Sequence, residues 1–157
     1  MKRFLTSAFT VVISLFVSSI FLDSLRYKFI NHEKTQVIFG KLDAWAGTLG
    51  FPGLFSQSGL FSQYVIGSAE LLASTLLLLG LIPALRKLSV LGAAIAFVIM
   101  TGAVSFHLFT PLGTDPNNDG GGLFVAAVLV WLGSIALLVL RRNELRSFLP
   151  RRTSGEA

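Results

Sequence analysis

The sequence predicts an all-α membrane protein, an antiparallel four-helix transmembrane bundle with a short amphipathic interfacial helix between spans one and two. Four apolar stretches, at residues 4–22, 64–85, 88–108 and 123–140, are each about long enough to cross the ~30 Å hydrocarbon core of a bilayer as a helix. Hydrophobic residues make up 53% of the chain and charged residues 13%, with a mean hydropathy of +0.73; a soluble domain carries roughly 25% charged residues. The basic residues also sort by side. With four spans both termini share one side, which holds Lys2, Arg3, Arg86, Lys87, Arg141, Arg142, Arg146, Arg151 and Arg152, against Arg26, Lys28, Lys34 and Lys41 on the other. The positive-inside rule then places both termini in the cytoplasm and the chain in the plasma (inner) membrane. That sorting also explains the net charge of +5 without nucleic acid, and makes the segment 141–152 an orientation signal that touches lipid headgroups.

Span one follows Lys2 and Arg3. A cleaved signal peptide with Val17 and Ser19 at its cut is the alternative, but the apolar run is longer than a usual signal core, and cleavage would leave the two chain ends on opposite sides. The connection from Asp23 to Gln63 is the longest, and within it Ile38, Leu42, Trp45 and Leu49 recur at helical spacing with Lys41 and Asp43 on other faces. This is an amphipathic helix on or in the outer leaflet, broken by Gly50, Pro52 and Gly53. The apolar turn that follows, with Phe51, Leu54, Phe55, Leu60 and Phe61, keeps it at the interface, a plug over the bundle rather than a gate.

Span two enters near Tyr64, which puts Glu70 roughly 9 Å below its start. Arg86 and Lys87 leave almost no loop before span three, so these spans pack antiparallel. Small residues mark the helix contacts: Ser89, Ala93 and Ala96 with Gly92 and Ala103 beside them, then Ala126, Ala127, Gly133 and Ser134 in span four. The loop Asp115-Pro116-Asn117-Asn118-Asp119-Gly120 imitates the first half of a calcium loop. Ala126 stands where the bidentate glutamate belongs, so no metal site follows. Asp119 instead caps span four, and Gly120, Gly121 and Gly122 let its first turn approach its neighbours.

Residues 1–150 form one membrane domain and 151–157 a flexible cytoplasmic tail. No internal repeat points to an inverted-repeat transporter. The absence of cysteine removes disulfides, thiolate-bound metals, iron–sulfur clusters and thiol relays from this chain's own chemistry.

Ionisable residues are costly in lipid, so those at the ends of the spans carry the functional signal. The topology gathers Arg26, Lys28, Glu70, His107 and Asp119 at one end of the bundle, a polar pocket at the extracytoplasmic mouth, with Trp45 or Phe51 as apolar walls. At its depth Glu70 either takes up a proton or pairs with Arg26, Lys28 or His107. That pairing serves equally a ligand or proton site and a structural tie between spans. His107 reads as an interfacial residue or as a proton partner. A bis-histidine haem with His32 would require the loop to fold deep into the bundle.

Four motifs resemble the DoxX-like membrane proteins: "LRYKF" with "VIFGKL" after span one, "GSAELLASTLLLLGLIP" with its glutamate, "TGAVSFHL" at the end of span three and "DGGGLFVAAVLVW" at the start of span four. They occur in order over nearly the whole chain. The matching polar positions are Lys28, Glu70, His107 and Asp119, while Phe106 between serine and histidine and a third glycine after Asp119 depart from the pattern. Some members of that family are linked to thiosulfate and quinone oxidation or to oxidative-stress complexes. The resemblance therefore implies a non-autonomous membrane subunit of a redox or quinone-linked complex, with a non-covalent quinone and an oxidoreductase partner subunit. A small proton-linked transporter or permeation unit, which four short spans would build only as a homo-oligomer, and a scaffold without activity are the alternatives.

Overall fold

The computed structural model describes residues 2–148, with side chains from Ser7 onward; the expected tail at 151–157, including Arg151 and Arg152, lies outside the described residues. These are helical and contain no strand. The helices are α1 (Lys2–Phe29), α2 (Glu33–Thr48), α3 (Gln63–Leu79), α4 (Arg86–Phe109), α5 (Gly122–Leu140) and the short α6 (Arg142–Arg146). Within them, Ser7–Phe29, Pro83–Phe109 and Gly122–Leu140 are long and apolar enough to cross a membrane, while Gln63–Leu79 is apolar but shorter.

Helix ends follow local chemistry. Free of glycine and proline, α1 continues seven residues past the expected end at 22. Asn31 stops it by taking the left-handed conformation (φ 57°), while the His32 and Asn31 amides bond the Tyr27 and Lys28 carbonyls, a Schellman closure. His32 then caps α2, its Nδ1 accepting from the Lys34 amide. The predicted amphipathic helix is therefore present, and Gly50 (φ 89°) ends it with the same closure through Phe51 N–H and the Ala46 carbonyl. Ser62 caps α3 through the Val65 amide.

Span two was expected to reach residue 85 but stops at Leu79. Gly80 provides the cap, and Pro83, which cannot continue a helix, opens a 3₁₀ turn over Pro83–Leu85 that leads into α4. The connection is thus longer than Arg86 and Lys87 alone suggest.

Both α3 and α5 pack against α1, and α4 packs against α3 and α5, so α1, α3, α4 and α5 close a ring. The core within it is small-residue packing: Ala73, Leu77, Ala93, Ala96, Val130 and Leu137 are fully buried. Gly92 permits a close crossing, since a Cβ there would stand 2.8 Å from the Ala73 carbonyl oxygen and 2.9 Å from Leu77. The glycines before α5 do something other than the expected close approach. Nothing lies within 4 Å of a Cβ at Gly120, and Gly120 and Gly121 adopt φ of 71° and 80°, a turn that redirects the chain into α5.

The polarity runs opposite to that of a soluble domain. Ser14, Ser74, Ser89 and Ser134 are fully buried, while Phe9, Val12, Val98, Val125 and Val139 are each more than half exposed. Apolar surface facing outward on every long helix is what lipid, not water, rewards.

Candidate functional site

Lys28 and Glu70 form the centre of the site. Lys28 sits on the last turn of α1 and Glu70 on the third turn of α3. The α1 face that meets α3 carries Phe21, Ser24, Leu25 and Lys28, at the three- and four-residue spacing of one helical stripe. Lys28 Nζ donates to Glu70 Oε1 at 2.9 Å and Oε2 at 2.8 Å, and to Ser24 Oγ at 2.9 Å. The Ser24 hydroxyl lies 2.6 Å from Glu70 Oε2 and 2.9 Å from the Phe21 carbonyl, and its single proton serves one of them at a time. Glu70 is 3% exposed and the Lys28 side chain 15%. A charge pair so enclosed persists because both carboxylate oxygens and all three ammonium protons are occupied.

The pair lines a cavity of about 430 Å³, within the range of small-molecule pockets. Apart from Ser24, Lys28, Glu70 and His107, its lining is glycine and apolar residues. Phe21 and Ile66 supply the wall near the ion pair, Ala103 and Phe106 the wall along α4, and Ile38, Phe39 and Leu42 of α2 form the roof. The roof is pinned by its own core, in which Leu42, Ala46, Phe55 and Leu112 are buried together. Asp43 Oδ1 accepts the Phe55 amide at 2.9 Å, and Phe55 meets Phe106 edge to face at 5.3 Å.

His107 lines the same cavity from the last turn of α4 and is 5% exposed. Its Nδ1 lies 2.6 Å from the Gly113 carbonyl oxygen. A carbonyl only accepts, so Nδ1 carries the proton, and in the neutral imidazole Nε2 is an acceptor. That nitrogen has no partner among the described residues.

The other expected site residues stand apart. Arg26, two positions from Lys28 and therefore about 200° around the helix, turns outward, pairs with Asp23 at 2.9 Å and lies over the Tyr27 ring. Asp119 is exposed and acts as a cap, accepting the Gly121 amide at 3.0 Å and the Leu123 amide at 3.2 Å. Its own amide bonds Asp115 Oδ1 at 2.7 Å, which, against the opposing effect of burial and with lesser help from the Gly121 amide, the Asp119 side chain and the Gly120 amide, holds the Asp115 carboxyl below its ordinary value of 3.8. The oxygens of the loop that imitates a calcium site thus serve the loop's own backbone. Neither expected wall residue touches the cavity: Phe51 is 61% exposed, and Trp45 packs on the far side of Phe106.

An amide cluster next to the ion pair has no counterpart in the sequence reading. Gln63, 1% exposed, donates through Nε2 to the Lys28 carbonyl at 2.8 Å and to Asn31 Oδ1 at 3.0 Å, and accepts from Gln36. Gln36 and Gln57 also donate to Asn31. It ties the end of α1, the first turns of α2 and α3, and the 50–62 loop into one unit that fixes Lys28 opposite Glu70. Side-chain amides scattered over helix ends and loops carry no periodic signal, so only the assembled fold reveals them.

The fold and the site define a membrane-embedded, all-helical protein with an internal, mostly apolar cavity. No protein-family model matches the chain, and no curated protein or solved structure matches it significantly.

Proposed function

We propose that the chain is a four-span antiparallel bundle of the DoxX type with both termini cytoplasmic, in which α3 is the second span. Its cavity holds the head of a quinone-type ligand at the extracytoplasmic end. In this reading the protein is an accessory membrane subunit that passes the ligand to an oxidoreductase partner, since the sequence has no cysteine to carry an iron–sulfur cluster or a thiol relay. The observation that carries the reading is the cavity itself: about 430 Å³, apolar, with an ion pair on one wall and an unpartnered imidazole nitrogen on another. Phe39, Phe55 and Phe106 supply flat apolar walls, and His107 Nε2 would accept from a hydroxyl of the reduced head. A quinone supplies two-electron, two-proton carrier chemistry when bound; this chain's part is to bind, orient and exclude water. The complete pairing of Glu70 favours the scaffold reading as an alternative, because a satisfied pair can serve packing alone.

Native mass spectrometry from lipid nanodiscs supplied with a short-tailed ubiquinone analogue kept in its reduced, quinol form distinguishes them. The wild type is expected to retain the quinol mass and a folded His107→Phe variant to lose it. No quinone adduct on a folded wild type would leave the scaffold.

A further inference from the structure

The cavity does not close at its lower end. Val98 lines it and is nonetheless 68% exposed, so the cavity meets the outer surface there. Gly102, one turn on, also lines it, and a Cβ at that position would find only the Phe106 ring, at 3.8 Å. Val98 is twelve residues into α4 and eleven from its end, roughly 18 Å from one end and 16 Å from the other. For a helix that spans the bilayer this is the middle of the hydrocarbon. His107 lies nine residues further, so the cavity extends at least about 14 Å along α4. Drawn out over that length, a cavity of about 430 Å³ is room for one drug-sized or single-tailed molecule. At one end it meets lipid tails, and at the other it offers an unpartnered hydrogen-bond acceptor.

We propose that the cavity is entered from the bilayer interior through a side opening at Val98 and Gly102, and that its occupant is a single-chain or isoprenoid-tailed amphiphile with a hydroxyl head. The hydroxyl donates to His107 Nε2 and the tail runs down past Phe106 and Gly102 into the lipid. This rests on the reading of α4 as a membrane span and deepens the ligand assignment. The saturated Lys28–Glu70 pair would gain nothing from a charged head, and burying one beside it would be costly. A neutral hydroxyl satisfies the imidazole without that cost.

The test uses the full chain in nanodiscs, with Trp45→Phe and Trp131→Phe to remove background and Phe21→Trp as reporter. Phe21 lines the cavity and is 1% exposed, so lipid outside does not touch it. The probe is mid-chain dibrominated stearyl alcohol, whose bromines quench tryptophan on contact. Saturable quenching is expected, roughly tenfold weaker in mole fraction for the dibrominated alkane or for His107→Phe, the effect of one lost hydrogen bond. It should be absent in Gly102→Phe, a change with open space around it that also favours helix. Quenching that is unsaturable, or equal in Gly102→Phe, overturns the side opening; equal binding of alkane and alcohol overturns the hydroxyl head. Circular dichroism confirms that each variant folds. Chain binding without any quinone adduct would sink the quinone assignment alone, and a quinone adduct indifferent to Gly102→Phe would sink the opening alone.

Discussion

Replacing the two members of the buried pair separately and together tests whether it ties α1 to α3. Lys28→Met leaves a carboxylate 3% exposed on a short side chain, with Ser24 as its remaining partner. Breaking a buried pair in this way costs 3–5 kcal/mol, and the lower end, about 3 kcal/mol, applies because Ser24 stays. Glu70→Met leaves Lys28, whose long stem at the end of α1 can swing its ammonium outward; about 2 kcal/mol is expected. The double variant removes both charges and fills the space with flexible apolar side chains, so its loss should stay at about 2 kcal/mol or less. The coupling energy is then about 3 kcal/mol in favour of the pair, at the top of the usual range for contacting residues. Equilibrium unfolding in mixed micelles, monitored by far-ultraviolet circular dichroism under one set of conditions for all four proteins, gives the cycle. A double variant that loses the sum of the two single losses would show that the charges act independently, and the tie between α1 and α3 would have to be sought in the amide cluster.

Gly92→Val should destabilise by about 3 kcal/mol, since overpacking at the α3–α4 crossing has no room to relax, whereas Gly102→Ala should be neutral or gain up to about 1 kcal/mol of helix propensity; the same unfolding assay compares them. Gln63→Ala removes its bonds to the Lys28 carbonyl and Asn31 and leaves Gln36 without its Gln63 acceptor, at a cost of about 1–2 kcal/mol, and amide hydrogen exchange should quicken from residue 31 to 36 but not within α5. The Asp115 carboxyl is held below 3.8 by the Asp119 amide first of all. Its contribution to the 115–121 turn is therefore present in full above that value and is lost as pH falls through the lower folded value. Carboxyl NMR should find Asp115 titrating below 3.8, and a titration at or above that value would contradict the turn geometry.

Much of the fold is legible because lipid imposes it: long apolar runs, small residues such as Ala93, Ala96 and Ser134 where helices touch, and Gly50 where α2 must stop. The pairing of Glu70 is legible as a need for a cation. Its choice of Lys28 over Arg26 lies in helical phase, since Lys28 continues the stripe through Phe21 and Ser24 while Arg26 falls on the opposite face. Pro83 likewise signals the early end of α3, which hydropathy alone carries through to 85. Other features depend on tertiary contact. Phe39, Phe55 and Phe106 look no different in sequence from Trp45 and Phe51, and only the seating of α2 across the end of α4 decides which of them face the cavity. Asp119 reads equally as a ligand or a cap until the loop's amides are placed.

The charge pair also has a consequence for how the protein is made. If α3 is the second span, as proposed, a lone carboxylate arriving with it in the hydrocarbon would cost roughly 2.5–3.5 kcal/mol during insertion, and its partners among the described residues, Lys28 and Ser24, are on the helix synthesised before it. Emerging first, α1 can wait at the insertion machinery with Lys28 at the interface, and α3 then enters as its neutralised companion. Insertion of the two as a hairpin is thereby written into residue order, and a chain in which α3 preceded α1 would have to carry its glutamate into lipid alone.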